Sequence, residues 1–535
     1  MAMKRQGQRV VVLLLAVVGL GAGALETPLV SAVKEGDRQA VRQLLQSADA
    51  DVNAPAVDGT TALHWAVHRD DLETVDLLLR AGANANAGNR YGVTPLSLAA
   101  LNGSAAAIDR LLTAGADANT SLDGETVLMT AARTGNVPAL KSLIAHGAEV
   151  NARDGLRGQT ALMWAASLNH AEAVRTLIEA GADLRIRTER ATEGQESRGL
   201  FGAPPPTSFS ALLFAVRGGR IDAVRVLLDA GADVNDTLPD GQSALVVAVA
   251  NAHWELAGFL LDKGADPNRA GAGWNALHQA VRTRRPNIGF GTPGPIPTGT
   301  LDSINVIKKM IERGVDLNAR MTKNGIRDGQ RNRLNRLGAT AFFLAAKNTD
   351  VEVMRVLHAA GADANIPSAE QTTPLMVAAG LDIWNPGEDG GSLPGQEPEV
   401  LEAVRMCVEL GNDVNKTNMY GETALHGVAY RGVNIVAEYL VEQGARLDAR
   451  DERGWTPLAI ANGLSYSDFY KEQRHTAALL RQLMEARGLS TNGHVVDPKI
   501  CFDCLQTRSD LQREERERDR KMEAEFAASQ TASRE

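Results

Sequence analysis

The sequence predicts an all-α solenoid of stacked helix pairs, and three observations carry that prediction. A short frame, seen as TALHWAV from Thr61, TPLSLAA from Thr94 and TALMWAA from Thr160, opens at residues 27, 61, 94, 126, 160, 210, 243, 275, 340, 373, 423 and 456. Most openings lie 32 to 34 residues apart, so one unit is used about twelve times, interrupted by a few insertions. Within a unit the apolar spacing is helical: in LETVDLLLRAGANAN, Leu72, Val75, Leu78 and Leu79 share a face before Gly82 stops the run, while Ala62, Leu63 and Ala66 give the frame a smaller apolar face. Between units, stretches such as GADANTSLDGET (Gly115 to Thr126) supply the Asn, Asp and Gly that tight, hairpin-like turns require.

Taken in order, residues 1 to 24 read as a secretory signal. Lys4, Arg5 and Arg9 precede an apolar run from Val10 to Leu20 and a small-residue cleavage site, Ala22-Gly23-Ala24. The run is too short to span a bilayer, and no second long apolar segment offers an anchor. Cleavage there would place the first repeat at the new terminus. Residues 25–488 are the repeats. Insertions at 185–206 and 322–337 enlarge the hairpin side, and those at 284–300 and 382–398 separate the two helices of a unit. Loops of this length between paired helices are usually functional or disordered. Residues 489–535 form a tail with a Cys-x-x-Cys pair and a charged segment, Arg508 to Glu535, expected as an exposed helix or a disordered end.

With G-A-D or a close variant recurring at Gly115, Gly181, Gly231, Gly264 and Gly361, the unit resembles the ankyrin repeat, whose consensus runs D-G-x-T-P-L-H-x-A-A, V-x-x-L-L, G-A-D-x-N. Most units lack Pro at the second frame position, and the terminal units are irregular, which suits caps whose outer faces meet water. The resemblance implies an ankyrin-repeat solenoid of about twelve helix-turn-helix units with hairpin-like connecting loops. It also implies ligands that meet the hairpin tips and first helices along a concave face. Carried onto this chain, those slots hold Tyr91, Arg133, Arg217, Trp274, Arg282, Lys347, Tyr420, Tyr430, Arg431 and Trp455, expected to be exposed. Trp, Tyr and Arg are the usual interface anchors.

The fourth frame position is His64, His278 and His426 in three units but Ser97, Met129, Met163, Leu213, Val246, Phe343, Met376 and Ala459 elsewhere. A slot filled mostly by apolar residues is structural, and in the family this histidine ties neighbouring units by hydrogen bonds. Trp65 and Trp164 share the fifth position with Leu98, Phe214 and Val247 and are expected in the core.

Other motifs carry less. Gly289-Phe290-Gly291-Thr292-Pro293-Gly294 is formally G-x-G-x-x-G, but two prolines, Pro293 and Pro295, interrupt it and no strand precedes it, so turn chemistry is the better reading. Lys323, Arg327, Arg331, Arg333 and Arg336 make a basic loop, either solvated or clasping an acidic partner. Cys407 reads as a small buried residue. Cys501 and Cys504 are expected as a local disulfide in an oxidising compartment, with a metal half-site or redox dithiol as alternatives. Leu505 follows the second cysteine where covalent haem attachment needs His.

The formal charge is −9, moving to −12 once the signal is removed, which disfavours nucleic acid and anionic membrane as partners. The sequence therefore predicts a non-catalytic scaffold, without cofactor, exported to the periplasm or beyond the cell, that binds another protein through its concave face and insertion loops. The alternative is an envelope redox or metal accessory protein using the CFDC pair.

Overall fold

The computed structural model describes residues 27–47, 50–189, 208–285, 294–324, 334–381, 397–466, 469–494 and 508–532. The signal segment 1–24, Cys501, Cys504, the Gly-rich stretch 289–293, Arg327, Arg331 and Arg333 lie outside the described residues, as do most of the insertions. The described residues form 25 helices, grouped into two compact units, Met1–Ala232 and Asp233–Glu535.

The first unit holds six helix pairs, from Pro28–Glu35 with Arg38–Leu45 to Ala211–Arg217 with Ile221–Asp229. The second holds six more, from Ala244–Ala250 with Trp254–Asp262 to Pro457–Asn462 with Arg474–Glu485, followed by the helix Arg508–Ala532. Inside each unit a first helix touches the first helices before and after it, and most second helices meet second helices in the same way. That is the nearest-neighbour packing of a repeat protein. Among the described residues, strands are limited to two short hairpins, Ser121–Leu122 with Glu125–Thr126 and Leu464–Tyr466 with Phe469–Lys471.

The residue that opens each frame begins the first helix. Thr94, Thr126, Thr160, Ser210, Ser243, Asn275, Thr340, Thr373 and Thr456 all sit in extended backbone and accept the N–H three residues on through the side chain. Such a cap satisfies one of the donors that a helix start leaves open. Leu63, Leu96 and Leu375 are buried at the third frame position, as are Val75 and Leu78 on the facing second helix.

The units are also laced along their loops. Asn86 donates from Nδ2 to the Gly115 carbonyl at 2.8 Å and accepts the Asp117 N–H at 2.8 Å. Asn53, Asn119 and Asn151 repeat the motif in the first unit, and Asn268 and Asn415 in the second. One side chain thus bridges two repeats at each of these steps.

Two expectations need correction. Trp65 and Trp164 are half-buried rather than core, although Val247, Leu344, Val377 and Ile460 at the same frame position are buried. Lys34 Nζ stands 5.0 Å from the Trp65 ring and the Arg133 guanidinium 5.8 Å from that of Trp164. The charged tail is not simply exposed either, since Phe526 in the last helix is buried.

Candidate binding surface

The three frame histidines are consumed by the architecture. Nδ1 of His64 accepts the Thr61 N–H at 3.1 Å, which leaves Nε2–H to donate to the Val93 carbonyl of the next unit at 3.0 Å. His426 does the same between the Thr423 N–H and the Trp455 carbonyl, and His278 between the Asn275 N–H and the carbonyls of Ala319 and Ala339. Burial holds His278 and His426 neutral, pushing each down to about 4, and lowers His64 in the same direction. None is placed as a ligand or base. Among the described residues no group of three or more His, Cys, Asp or Glu is placed to hold a metal ion, and no helix is long and apolar enough to cross a membrane.

In the first unit, Tyr91 stands at a hairpin tip with 62% of its surface exposed. Its backbone N–H is fixed by Asn89 Oδ1 at 3.0 Å. Arg133 is half-buried, pairing with Glu125 at 3.3 Å while lying over Trp164. Arg217 is exposed, its guanidinium 5.5 Å from the Phe209 ring.

In the second unit, Trp274 and Arg282 are half-buried and line a shallow groove with His278, Gln279, Met321, Arg336 and Leu344. Trp274 Nε1 donates to Gln279 Oε1 at 3.1 Å, and Gln279 Nε2 to Thr283 Oγ1 at 3.0 Å, so the indole N–H is held by a side chain that is itself held. Tyr420 and Tyr430 are half-buried. Tyr420 donates its hydroxyl to the buried carboxylate of Glu370 at 2.9 Å, and the carbonyl of Tyr430 accepts from Gln473.

Three expected anchors are buried instead. Lys347 is 1% exposed in the last turn of Ala341–Lys347, which is flanked by the first helices of both neighbours. Arg431 is 6% exposed because the adjacent first helix, Pro374–Ala379, stops early at Gly380 and leaves room beyond its end. Arg431 crosses that glycine to reach the Ala378 carbonyl at 3.3 Å, and desolvation lowers its pKa to about 10. Trp455 is 7% exposed, covered by the Arg453 guanidinium at 4.5 Å, with its N–H held by Asp451 Oδ1 at 2.8 Å.

A separate cavity of about 360 Å³ lies between Trp254, Thr283, Pro295, Pro297, Ser303 and two arginines, Arg284 and Arg285. Both guanidiniums are already paired. Arg284 meets buried Asp350 at 2.7 Å, and Arg285 meets Glu399 at 2.9 Å, so the cavity carries no spare positive charge from them. His494, close in sequence to the cysteine pair, is likewise engaged, with Nδ1 2.7 Å from Thr456 Oγ1 at the end of the stack.

A family model described as ankyrin repeats (3 copies) matches residues 1–89, 29–122, 96–188, 212–289 and 397–471. Over 72 residues the chain is 38% identical to potassium channel AKT1 of Oryza sativa subsp. indica, covering 14% of this chain and 8% of that protein. Over 215 residues it is 30% identical to the mitochondrial disaggregase of Homo sapiens, covering 36% of this chain and 28% of that protein. The chain therefore spans well under a third of either relative. Among solved structures, the human ASB11 ankyrin repeat domain aligns over 45% of this chain and 100% of its own length, at 24% identity and a TM-score of 0.37.

Proposed function

The chain belongs to the ankyrin repeat family, and from that premise we propose that it is a non-catalytic, protein-binding scaffold exported to the cell envelope. Its partner is another protein, met on the face formed by the hairpins and first helices, with the insertions around it. The observation that carries this reading is the groove at Trp274 and Arg282. Aromatic residues are 4% of the sequence, and this tryptophan is kept half-exposed, with its N–H already satisfied by Gln279. A ring whose N–H is already held by Gln279 loses little side-chain freedom on binding, and Trp and Arg are the residue types that dominate interface energies.

Export is supported by the basic residues, the apolar run and the Ala22-Gly23-Ala24 site at the N-terminus. Mature protein recovered from the envelope of its native host should begin at Leu25.

The test of the scaffold is capture from envelope extract by the wild-type chain and by Trp274→Ala. Loss of one aromatic anchor costs about 2 kcal/mol or more, so capture should weaken by an order of magnitude or more. The thermal melt should scarcely move, because the indole is not a core residue. Trp455→Ala is not an equivalent probe: burial of that ring predicts a loss of about 3 to 5 kcal/mol of stability. Wild-type capture by Trp274→Ala would contradict the reading.

A further inference from the structure

The last helix, Arg508–Ala532, lies beyond the repeats but packs against them within the second unit. It is strongly charged, and a helix polar all round is not stable by itself. One stripe is different. Phe526 is 8% exposed, and Met522 and Glu523 are half-buried, whereas Lys521, Ala524, Glu525 and Ala527 around them are exposed. Residues at i, i+1 and i+4 share one side of a helix, so this face is the one that docks.

What it docks against is the hairpin that leads into the frame at Thr340. The Phe526 ring lies 4.7 Å from the guanidinium of Arg320, a cation over an aromatic face. Arg320 is fixed by donating from Nε to the Gly338 carbonyl at 2.9 Å and from Nη2 to the Pro367 carbonyl at 2.7 Å. The Asn324 N–H donates to the Glu523 carboxylate at 3.1 Å, and the Asn335 amide reaches Met522 Sδ at 3.4 Å. Gly338, with φ +76°, is needed by the close packing here: a Cβ would stand 2.7 Å from the Arg320 guanidinium, 2.9 Å from the Ala369 N and 3.2 Å from the Phe526 ring. Desolvation lowers the Arg320 pKa, consistent with a ring covering it.

The contact is specific and small. A stripe of three residues would hold a free peptide weakly, but a tether raises the effective concentration to the order of millimolar. We propose that the hairpin surface of Arg320, Asn324, Asn335 and Gly338 is a receptor for an amphipathic helix carrying Met, Glu and Phe at i, i+1 and i+4. The C-terminal helix is its tethered ligand, and a partner protein's helix of the same pattern displaces it. This rests on the scaffold reading for the partner, while the contact within the chain is tested without any partner. An external helix must outcompete the tether, so only a tight or locally concentrated partner gains the surface.

The test titrates a fluorescent peptide of residues 508–532 into the full chain, wild type and Phe526→Ala. The peptide should bind the Phe526→Ala chain at least tenfold more tightly than the wild type, where the surface is already filled. A peptide carrying its own Phe526→Ala change should bind neither chain. Glu523→Ala in the chain should act in the same direction, and it keeps the test open if Phe526→Ala impairs folding. Equal affinity for wild-type and variant chains, or no binding to either variant, overturns the proposal. Failure here with partner capture still sensitive to Trp274→Ala would leave the scaffold reading in place and remove this one.

Discussion

At the scale of single residues, a side chain's role is set by the slot it occupies and by what the neighbouring unit places opposite. His278 and His426 are held neutral in the fold at about 4, whereas an unfolded histidine titrates near its ordinary 6.5. Between those values the unfolded chain binds the extra protons. Stability is therefore full above about pH 6.5 and falls as the pH drops toward 4, by up to about 3 kcal/mol per histidine at about 1.4 kcal/mol per pH unit. Methionine fills the same slot at Met376, where Sδ lies 3.4 Å from the Thr373 N–H. The double variant His278→Met with His426→Met should lose stability at neutral pH but show a markedly flatter decline between pH 6.5 and 4 in chemical denaturation. An unchanged pH dependence would mean that other groups carry it. The same reasoning separates the readable anchors from the unreadable ones. Trp274 is half-buried, whereas Lys347, Arg431 and Trp455, in slots of the same kind, are buried, Trp455 beneath the nearby Arg453 and Arg431 against a helix some fifty residues earlier. Arg431 is buried because another helix ends at Gly380, and no local pattern around Arg431 announces that.

At the scale of the element, the repeat was legible because it is written twelve times. A helical apolar period and a Thr, Ser or Asn opening each frame are local signals, and each repetition strengthens them. The asparagine ladder was equally visible as a recurring Asn after G-A-D-x, but its purpose needed the geometry of two adjacent units. Asn86→Ala removes two hydrogen bonds at once, each worth about 0.5 to 1.5 kcal/mol. Amide exchange should then accelerate at Asp117 and its neighbours, while the helices Ala62–His68 and Val127–Thr134 keep their protection. Uniform acceleration across the first unit would show that the ladder acts globally rather than step by step. The C-terminal helix was not legible as a docked element. Two apolar residues four apart in a charged run read as a solvated face, and only the hairpin at Arg320 and Gly338 gives that spacing a meaning.

At the scale of the whole molecule, the repeats of each compact unit form a stack in which helix pairs meet chiefly the pairs before and after them, so the stability of the stack is largely a sum of local interfaces. Such a design buries its apolar residues between repeats and leaves hairpin tips such as Tyr91 exposed. In the proposed function, recognition centres on the hairpin and first-helix edge around Trp274, Arg282, Met321 and Leu344. Hydrogen–deuterium exchange of the full chain with and without its captured partner tests this most directly. Protection gained on binding should concentrate in residues 271–285, 319–324 and 334–344. Protection confined to the second helices, such as Ser303–Glu312 and Val351–Ala359, would contradict it.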